Sequence, residues 1–292
     1  MMDNLTMDLV RLAQRNRDGS FGTQTNRRRG LTAMANDLSD LGYKLPSAAS
    51  LKPKHIEALV ERWLDADTTD ASIRNRLTWL RWWAEKINKP NVVNRDNASY
   101  GVAERGEITR NRAQTLDPAK YNAIECPYIQ ASLLLQAAFG LRREEAMKFQ
   151  PLTAIRADHI TLKSSWTKGG RARTIPITTL EQRQVLEHVM RLVPGQGSLI
   201  PAHLSYVEHL KRFEYQTFKV NLRNTHGFRH AYAQSRYKVL TGQPCPLAGG
   251  KAWATMTQQE READRAARRQ ISAELGHGRL KITDIYLGNA FQ

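Results

Sequence analysis

The sequence has few of the features that mark secreted, membrane or metal-binding proteins. Its only two cysteines, Cys126 and Cys245, stand far apart, without the spacing of a disulfide framework or a metal site. The N-terminus, MMDNLTMDLVRLAQRNRDG, has no apolar signal-peptide core. The longest apolar-rich run, ASLLLQAAFGL, is too short and too interrupted to cross a bilayer. These absences predict a soluble, cytoplasmic protein with no membrane partner and no bound metal.

Acidic residues are also scarce relative to basic ones. The chain holds 44 Lys and Arg against 28 Asp and Glu, which gives a net charge of +16. Residues 1–110 contain 18 basic and 14 acidic side chains, and residues 111–292 contain 26 and 14. The excess is therefore spread through sequence that looks folded. Such a surface favours a polyanionic partner, and nucleic acid above all. Composition alone leaves open a merely soluble basic protein.

The apolar content of 41% and the length of 292 residues suit two packed domains. Residues 1–108 predict a helical domain, with helices expected over 23–41 and in the segments PKHIEALVERWL and TTDASIRNRLTWLRWWAEKIN, the last capped by Thr69 or Asp70. The first of these segments places Leu64 on its apolar face with Trp63. Residues 89–112 lack a clear period and predict a linker.

The second domain, residues 113–292, mixes two kinds of element. A helical pattern runs over 118–149 and another follows Leu180. Between them, HITLKSSWTKGGRARTIPIT predicts two short strands around the turn KGG, with Pro176 suited to an edge strand. The predicted fold class is mostly α with a small antiparallel β-sheet.

Several arginines of the first domain are candidate DNA contacts, because some fall off the apolar face of a predicted helix and others form a run of three consecutive basic residues. They are equally consistent with a solvated surface, and the sequence does not separate the two readings. They are Arg27, Arg28, Arg29, Arg74, Arg76 and Arg81. The nearby tryptophans Trp79, Trp82 and Trp83 are more typical of core packing than of base stacking.

Cutting a DNA phosphodiester without a metal requires a specific set of side chains. Arginines must neutralise the phosphate oxygens, a nucleophile must attack, a base must take its proton, and an acid must protonate the leaving 5′ oxygen. The second domain contains such types in order, although each alone is weak evidence. They are Arg142 with Glu145 in FGLRREE, Lys168 in TKGG, His226 and Arg229 in THGFRH, His277 in LGHGR, and Tyr286 in TDIY.

This ordered set resembles the tyrosine recombinase, or phage integrase, family. GLRREE is similar to the family's Gly-Leu-Arg-x-x-Glu box and TKGGRARTIPI to its lysine-bearing β-hairpin. HGFRH matches the His-x-x-Arg box, with His230 trailing it, and LGHGRLKITDIY matches the Leu-Gly-His box with its tyrosine. The first domain is similar to the family's helical, SAM-like core-binding domain only in pattern. The 47 residues between Arg229 and His277 exceed the family's usual connection.

The resemblance implies a reaction and a division of labour. Tyr286 would form a 3′-phosphotyrosine, Arg142 and Arg229 would clamp the phosphate, and Lys168 would protonate the leaving oxygen. His226 would assist proton removal, His277 would bond the phosphate, and Glu145 and His230 would support the set. Arg171 and Arg173, beside Lys168, are further candidate DNA contacts.

The resemblance also implies the partners. These are double-stranded DNA, a homotetramer of two dimers on paired sites, and accessory directionality or DNA-bending proteins, with no cofactor. The implied enzyme is a site-specific recombinase encoded by a mobile element. A type IB topoisomerase-like enzyme and a non-catalytic DNA-binding regulator remain as alternatives.

Overall fold

The computed structural model describes residues 4–104 and 106–290, which fold into two compact units. The first unit spans Met1–Gly106 and the second spans Glu107–Gln292. Helices dominate both units, and the strands among the described residues form one two-stranded antiparallel sheet. The predicted fold class, mostly α with a small antiparallel sheet, is confirmed. No helix in the described ranges is long and apolar enough to span a membrane.

In the described part of the first unit, four α-helices pack around one apolar core. They are α1 (Asn4–Arg15), α2 (Phe21–Asp40), α3 (Pro53–Asp65) and α4 (Asp70–Lys86). Side-chain caps begin two of them. Ser20 Oγ accepts a hydrogen bond from Thr23 N at 3.2 Å, and Thr69 Oγ1 accepts one from Ser72 N at 3.4 Å. Thr69 is thus the N-cap that fixes where α4 begins.

The apolar face of α3 contributes to this core as its spacing predicts, with one exception. Ile56, Leu59 and Trp63 are buried, whereas Leu64 is 40% exposed. Successive residues of an α-helix are rotated by about 100°, so Leu64 lies at the solvent edge of the face that carries Trp63. The prediction for Leu64 is therefore wrong.

The interval 89–104, predicted as part of a linker, is folded onto the first unit. Short 3₁₀ turns occur at Pro90–Val92 and Ala98–Tyr100, and Val93 and Val102 are buried in the core of that unit. Val92 and Tyr100 pack against the same core, and each buried valine contributes roughly 1.5–3 kcal/mol to holding the interval there.

The described second unit begins near residue 107 and carries the sheet and the remaining helices. The elements are α5 (Pro118–Asn122), α6 (Pro127–Phe139), α7 (Arg143–Met147), α8 (Pro151–Ala154), β1 (His159–Leu162), β2 (Arg173–Pro176), α9 (Leu180–Leu192), α10 (Tyr206–Lys219), α11 (His226–Thr241), α12 (Gln258–Glu274) and α13 (Asp284–Leu287). The single helical stretch predicted over 118–149 is in fact three helices. Pro127 begins the second of them, and a glycine ends it.

Helix α6 forms the centre of the second unit and packs against α7, α9 and α11. It ends at Gly140, whose φ of +60° lies in the left-handed region that glycine adopts without strain. A Cβ atom at Gly140 would lie 2.7 Å from Cδ1 of Tyr232, so a side chain has no room there. This tight turn places Arg142 at the start of α7, beside α11.

The two strands form a hairpin with Leu162 opposite Arg173 and Ile160 opposite Ile175. Lys168 lies in the turn between them. Part of the long connection between Arg229 and His277 is helical, because α11 continues to Thr241 and α12 packs against it. Helix α12 then leads into the turn that carries His277.

Candidate active site

Tyr286 lies on α13, and its side chain is only 4% exposed. Its hydroxyl nevertheless faces polar groups rather than an apolar interior. Arg229 Nε donates a hydrogen bond to it at 3.4 Å, and His226 Nε2 lies 3.4 Å away. Both neighbours project from the first turn of α11, where residues three apart share a face. A cation that favours the anionic oxygen and a nitrogen that can accept its proton therefore meet at one phenol.

Three histidine rings surround the ring of Tyr286. The distances between ring centroids are 4.6 Å to His230, 5.4 Å to His277 and 6.0 Å to His226. Burial first, and nearby positive charge second, lowers the pKa of all three, to about 3 for His277 and about 4 for His230. The rings are therefore neutral at pH 7, and each offers one accepting and one donating nitrogen.

Arg229 is fully buried and its guanidinium is held from several sides. Nη1 donates to the carbonyl of Gly140 at 2.6 Å and Nη2 donates to the carbonyl of Leu275. Nη2 also lies 3.5 Å from His277 Nε2. Burial first, and then the charge of Arg142, lowers the pKa of Arg229 to about 10, so the group stays charged at pH 7. Such fixed donors need no reorganisation when charge develops beside them.

One buried carboxylate, Glu145, organises the arginines around it. Its oxygens accept from Arg142 N at 2.8 Å and Arg142 Nη1 at 2.7 Å, and from Arg173 Nη1 and Nη2 at 3.1 and 2.7 Å. Arg229 Nη1 lies 4.0 Å from Oε2 of the same carboxylate. Burial alone would raise the pKa of Glu145. The hydrogen bonds and charge of Arg173, with Arg142 and Arg229, instead lower it to about 2. Arg142 and Arg229 thus lie on either side of one buried carboxylate.

Arg173 does not take the DNA-facing place that its sequence position suggested. Its side chain is buried, pairs with Glu145, and donates from Nε to the carbonyl of Glu274 at 2.8 Å. The strand pattern carries the signal for this, because Arg173 shares a face of β2 with the buried Ile175. The guanidinium supports Glu145 from inside the unit.

Lys168 is exposed in the hairpin turn and makes no hydrogen bond or ion pair with the described residues. The structure does not bring it into contact with the other five predicted catalytic side chains. The hairpin does border their site, because a Cβ at Gly278 would lie 2.6 Å from Arg171 Nη1 and one at Gly276 would lie 2.9 Å from Arg173 Cδ. These two glycines flank His277, so Lys168 extends from an element packed on the His277 turn.

Helix α13 is anchored by a buried ion network that the sequence reading missed. Arg268 Nη1 donates to Asp284 Oδ1 at 3.0 Å, and Arg268 Nε donates to Asp264 at 2.9 and 2.8 Å. Tyr237 Oη donates to Asp264 Oδ1 at 2.8 Å. Asp264 and Arg268 follow the i, i+4 spacing of a helical ion pair, but nothing in the sequence indicates that Asp284 joins them.

Of the arginines predicted as DNA contacts in the first unit, one is buried in the fold and the others lie at the surface. Arg27 is buried, pairs with Asp18 at 3.3 Å and stacks 4.2 Å from the Trp82 ring centroid. It supports the fold, which corrects its expected role as a DNA contact. Trp82 packs against the core, as do Trp79 and Trp83.

The other arginines of this set remain at the surface to different degrees. Arg74 donates to the carbonyl of Ala103, and Arg81 donates to the carbonyl of Asn94 at 2.9 and 2.8 Å. Arg28 and Arg29 are exposed. Arg76 stacks 4.8 Å from the Trp63 ring centroid. It lines, with Arg29, Asn26 and Asn75, a groove between α2 and α4.

Two protein-family models together match most of the chain. A model described as "Phage integrase, N-terminal" matches residues 2–90, and one described as "Integrase" matches residues 104–235. Comparison with curated protein sequences gives no match. The chain belongs to the phage integrase, or tyrosine recombinase, family of site-specific DNA recombinases. Neither model reaches His277 or Tyr286, so their assignment depends on the geometry above.

Solved structures of integrases share the fold at low sequence identity. A lambda integrase dimer bound to a COC′ core site superposes with a TM-score of 0.62 at 16% identity, covering 97% of this chain and 76% of that chain. The Tn1549 transposon integrase in complex with circular intermediate DNA gives 0.59 at 15% identity, covering 99% and 96%. The XerH recombinase bound to difH gives 0.57 at 14% identity, covering 98% and 81%.

Proposed function

We propose that the protein cleaves and rejoins DNA at specific sites through a 3′-phosphotyrosine on Tyr286. The observation that carries this proposal is the Tyr286 hydroxyl beside Arg229 Nε and His226 Nε2, each at 3.4 Å. The phenolic oxygen attacks the scissile phosphorus as its bond to the 5′ oxygen breaks. The phenolic proton passes to His226, and Lys168 supplies a proton to the leaving 5′ oxygen.

The phosphate in this reaction lies between the two arginines that flank Glu145. The Arg142 side chain is partly exposed, whereas that of Arg229 is fully buried, and Glu145 orients both. Neutral His277 sits 3.5 Å from Arg229 and donates a hydrogen bond to a phosphate oxygen. Resealing reverses each step with the 5′ hydroxyl of another strand as nucleophile. One phosphate ester replaces another, so the bond energy is conserved.

The two units divide DNA binding and chemistry. Residues 1–108 serve as the core-binding domain and residues 113–292 as the catalytic domain. In the first unit, the groove with Arg29 and Arg76 and the exposed Arg28 supply phosphate contacts. In the second unit, the exposed Arg171 contacts a DNA phosphate beside Lys168. The net charge of +16 supports a DNA partner.

The active assembly is a homotetramer of two dimers on paired sites. This is supported by the similarity to a lambda integrase dimer on a core site and to a lambda integrase tetramer bound to a Holliday junction. We also propose that a mobile element encodes this recombinase and that accessory directionality or DNA-bending proteins act with it.

A nicked suicide duplex carrying the cognate site tests the chemistry. Wild-type protein should form an SDS-resistant covalent adduct, and Tyr286→Phe should bind the duplex with unchanged affinity but form none. An adduct that persists in Tyr286→Phe would remove the nucleophile assignment. No wild-type adduct would leave a DNA-binding regulator, and relaxation of supercoiled plasmid without site preference would favour a topoisomerase.

A further inference from the structure

The backbone of the candidate nucleophile is held by a side chain of α11. Gln234 Nε2 donates a hydrogen bond to the carbonyl oxygen of Tyr286 at 3.0 Å. Gln234 lies two turns after His226 on the same helix, so α11 contacts Tyr286 at both its hydroxyl and its main chain. The angle at which the phenol enters the site therefore depends on the orientation of the Gln234 amide.

That orientation is set by Asn111. Gln234 Nε2 donates to Asn111 Oδ1 at 2.8 Å, and Asn111 Nδ2 donates back to Gln234 Oε1 at 3.3 Å. Asn111 Oδ1 also accepts from Ala113 N at 2.9 Å, which only the oxygen end of the amide can do. Ala113 thus fixes which way Asn111 faces, and Asn111 then fixes Gln234 with its NH₂ group toward Tyr286.

Asn111 also holds the chain on the other side of α13. Its Nδ2 donates to the carbonyl of Leu247 at 3.0 Å. Leu247 and the preceding Pro246 pack directly on Gly288, where an added Cβ would lie 2.9 Å from Pro246 Cβ and 3.2 Å from Leu247 N. One exposed amide therefore bridges α11 and the turn that confines the residue two positions after Tyr286.

The segment that carries Asn111 is seated against the start of α11. Gln114 N donates to the carbonyl of Gly227 at 3.1 Å, and a Cβ at Gly227 would lie only 2.8 Å from the carbonyl oxygen of Arg112. The close approach requires glycine at this position, between His226 and Arg229. Residues 111–114 thus rest on the turn that presents both of those side chains.

We propose that Asn111 and Gln234 are positioning residues for Tyr286. Through them, the orientation of the phenol depends on whether residues 107–117 are packed against the start of α11. This segment is the first part of the second unit, so it is the stretch through which that unit joins the rest of the chain. When it is seated, the two amides hold the Tyr286 carbonyl. When the segment separates from α11, the Gln234 amide loses its fixed orientation, and the phenol of Tyr286 loses its alignment in the site. The inference rests on the proposed role of Tyr286 as the nucleophile.

A double-mutant cycle tests the coupling. Asn111→Ala, Gln234→Ala and the double variant are compared with Thr115→Ala, a control in the same segment whose exposed side chain makes no hydrogen bond among the described residues. Single-turnover adduct formation is measured on the suicide duplex at saturating protein, with Kd and the melting temperature measured separately. Each single variant should slow cleavage about ten-fold while Kd changes less than two-fold.

The combined loss in the double variant should be smaller than the product of the two single losses, because Asn111 acts on Tyr286 in part through Gln234. Thr115→Ala should cleave at the wild-type rate. Additive losses, or losses that follow a fall in melting temperature, would overturn the coupling, and so would wild-type rates in both single variants. An adduct that survives in Tyr286→Phe would instead remove the proposed function itself.

Discussion

The substitution Glu145→Gln tests how the arginine cluster is held together. Gln is close in shape to a protonated glutamate, so it reports what the charge of Glu145 contributes. The folded protein lowers the pKa of this carboxyl from 4.5 to about 2. At about 1.36 kcal/mol per pKa unit, ionised Glu145 stabilises the second unit by roughly 3 kcal/mol at pH 7.

The sign of this effect gives a second test. The pKa of Glu145 is lower in the folded state than in the unfolded state. The ionised carboxylate therefore makes its full contribution to the free energy of unfolding above pH 4.5, and that contribution is lost as pH falls toward 2. At pH 3 about 1.4 kcal/mol remains. Urea unfolding of wild type and Glu145→Gln should therefore differ by roughly 3 kcal/mol at pH 7 and by about half of that at pH 3. A difference below about 1 kcal/mol at pH 7, or one that does not change with pH, would refute the view that Glu145 is the electrostatic hub.

Three further outcomes follow from the site. Arg229→Ala and Arg142→Ala should each lower cleavage by about 10²–10³-fold while retaining DNA binding, and equal losses of both in filter-binding and adduct assays would contradict the clamp. The free energy of unfolding of the wild-type protein should fall as pH drops from 6.5 toward 4, because His230 and His277 have folded pKa values of about 4 and about 3. In urea titrations, His230→Gln should make this free energy depend less steeply on pH, and an unchanged dependence would contradict the role of His230. Gly276→Ala should reduce adduct formation far more than Gly278→Ala. Gly276 has a φ of +67° and packs on the side chain of Arg173, whereas an added Cβ at Gly278 would meet only the far end of the flexible Arg171 side chain. Equal losses in the two variants would contradict this.

The sequence predicted much of the fold because periodicity and caps are local signals. The Thr69 cap and the apolar face of α3 are readable from neighbouring residues. The helical stretch predicted over 118–149 is interrupted at Pro127 and Gly140, which are local signals that the apolar periodicity outweighed. The folding of residues 89–104 instead depends on Val93 and Val102 reaching a core formed by distant parts of the chain.

The candidate site shows the same division. Tyr286, Arg229 and His226 could be predicted because the ordered motifs carry them, and the structure brings their polar atoms together. Arg173 was placed with the DNA contacts because its neighbours Lys168 and Arg171 weighed more than its alternation with Ile175, and because its partner Glu145 lies far along the chain. Asn111, Gln234 and Arg268 were missed because polar residues without a motif look the same whether they are solvated or paired.

The most direct test of the proposed chemistry is to identify the residue that becomes covalently attached to DNA. The covalent adduct formed on a suicide duplex is digested with nuclease and protease, and the peptide bearing the nucleotide remnant is sequenced by mass spectrometry. We expect a 3′-phosphonucleotide on the phenolic oxygen of Tyr286. A remnant on any other side chain, or one attached through a 5′ phosphate, would contradict it.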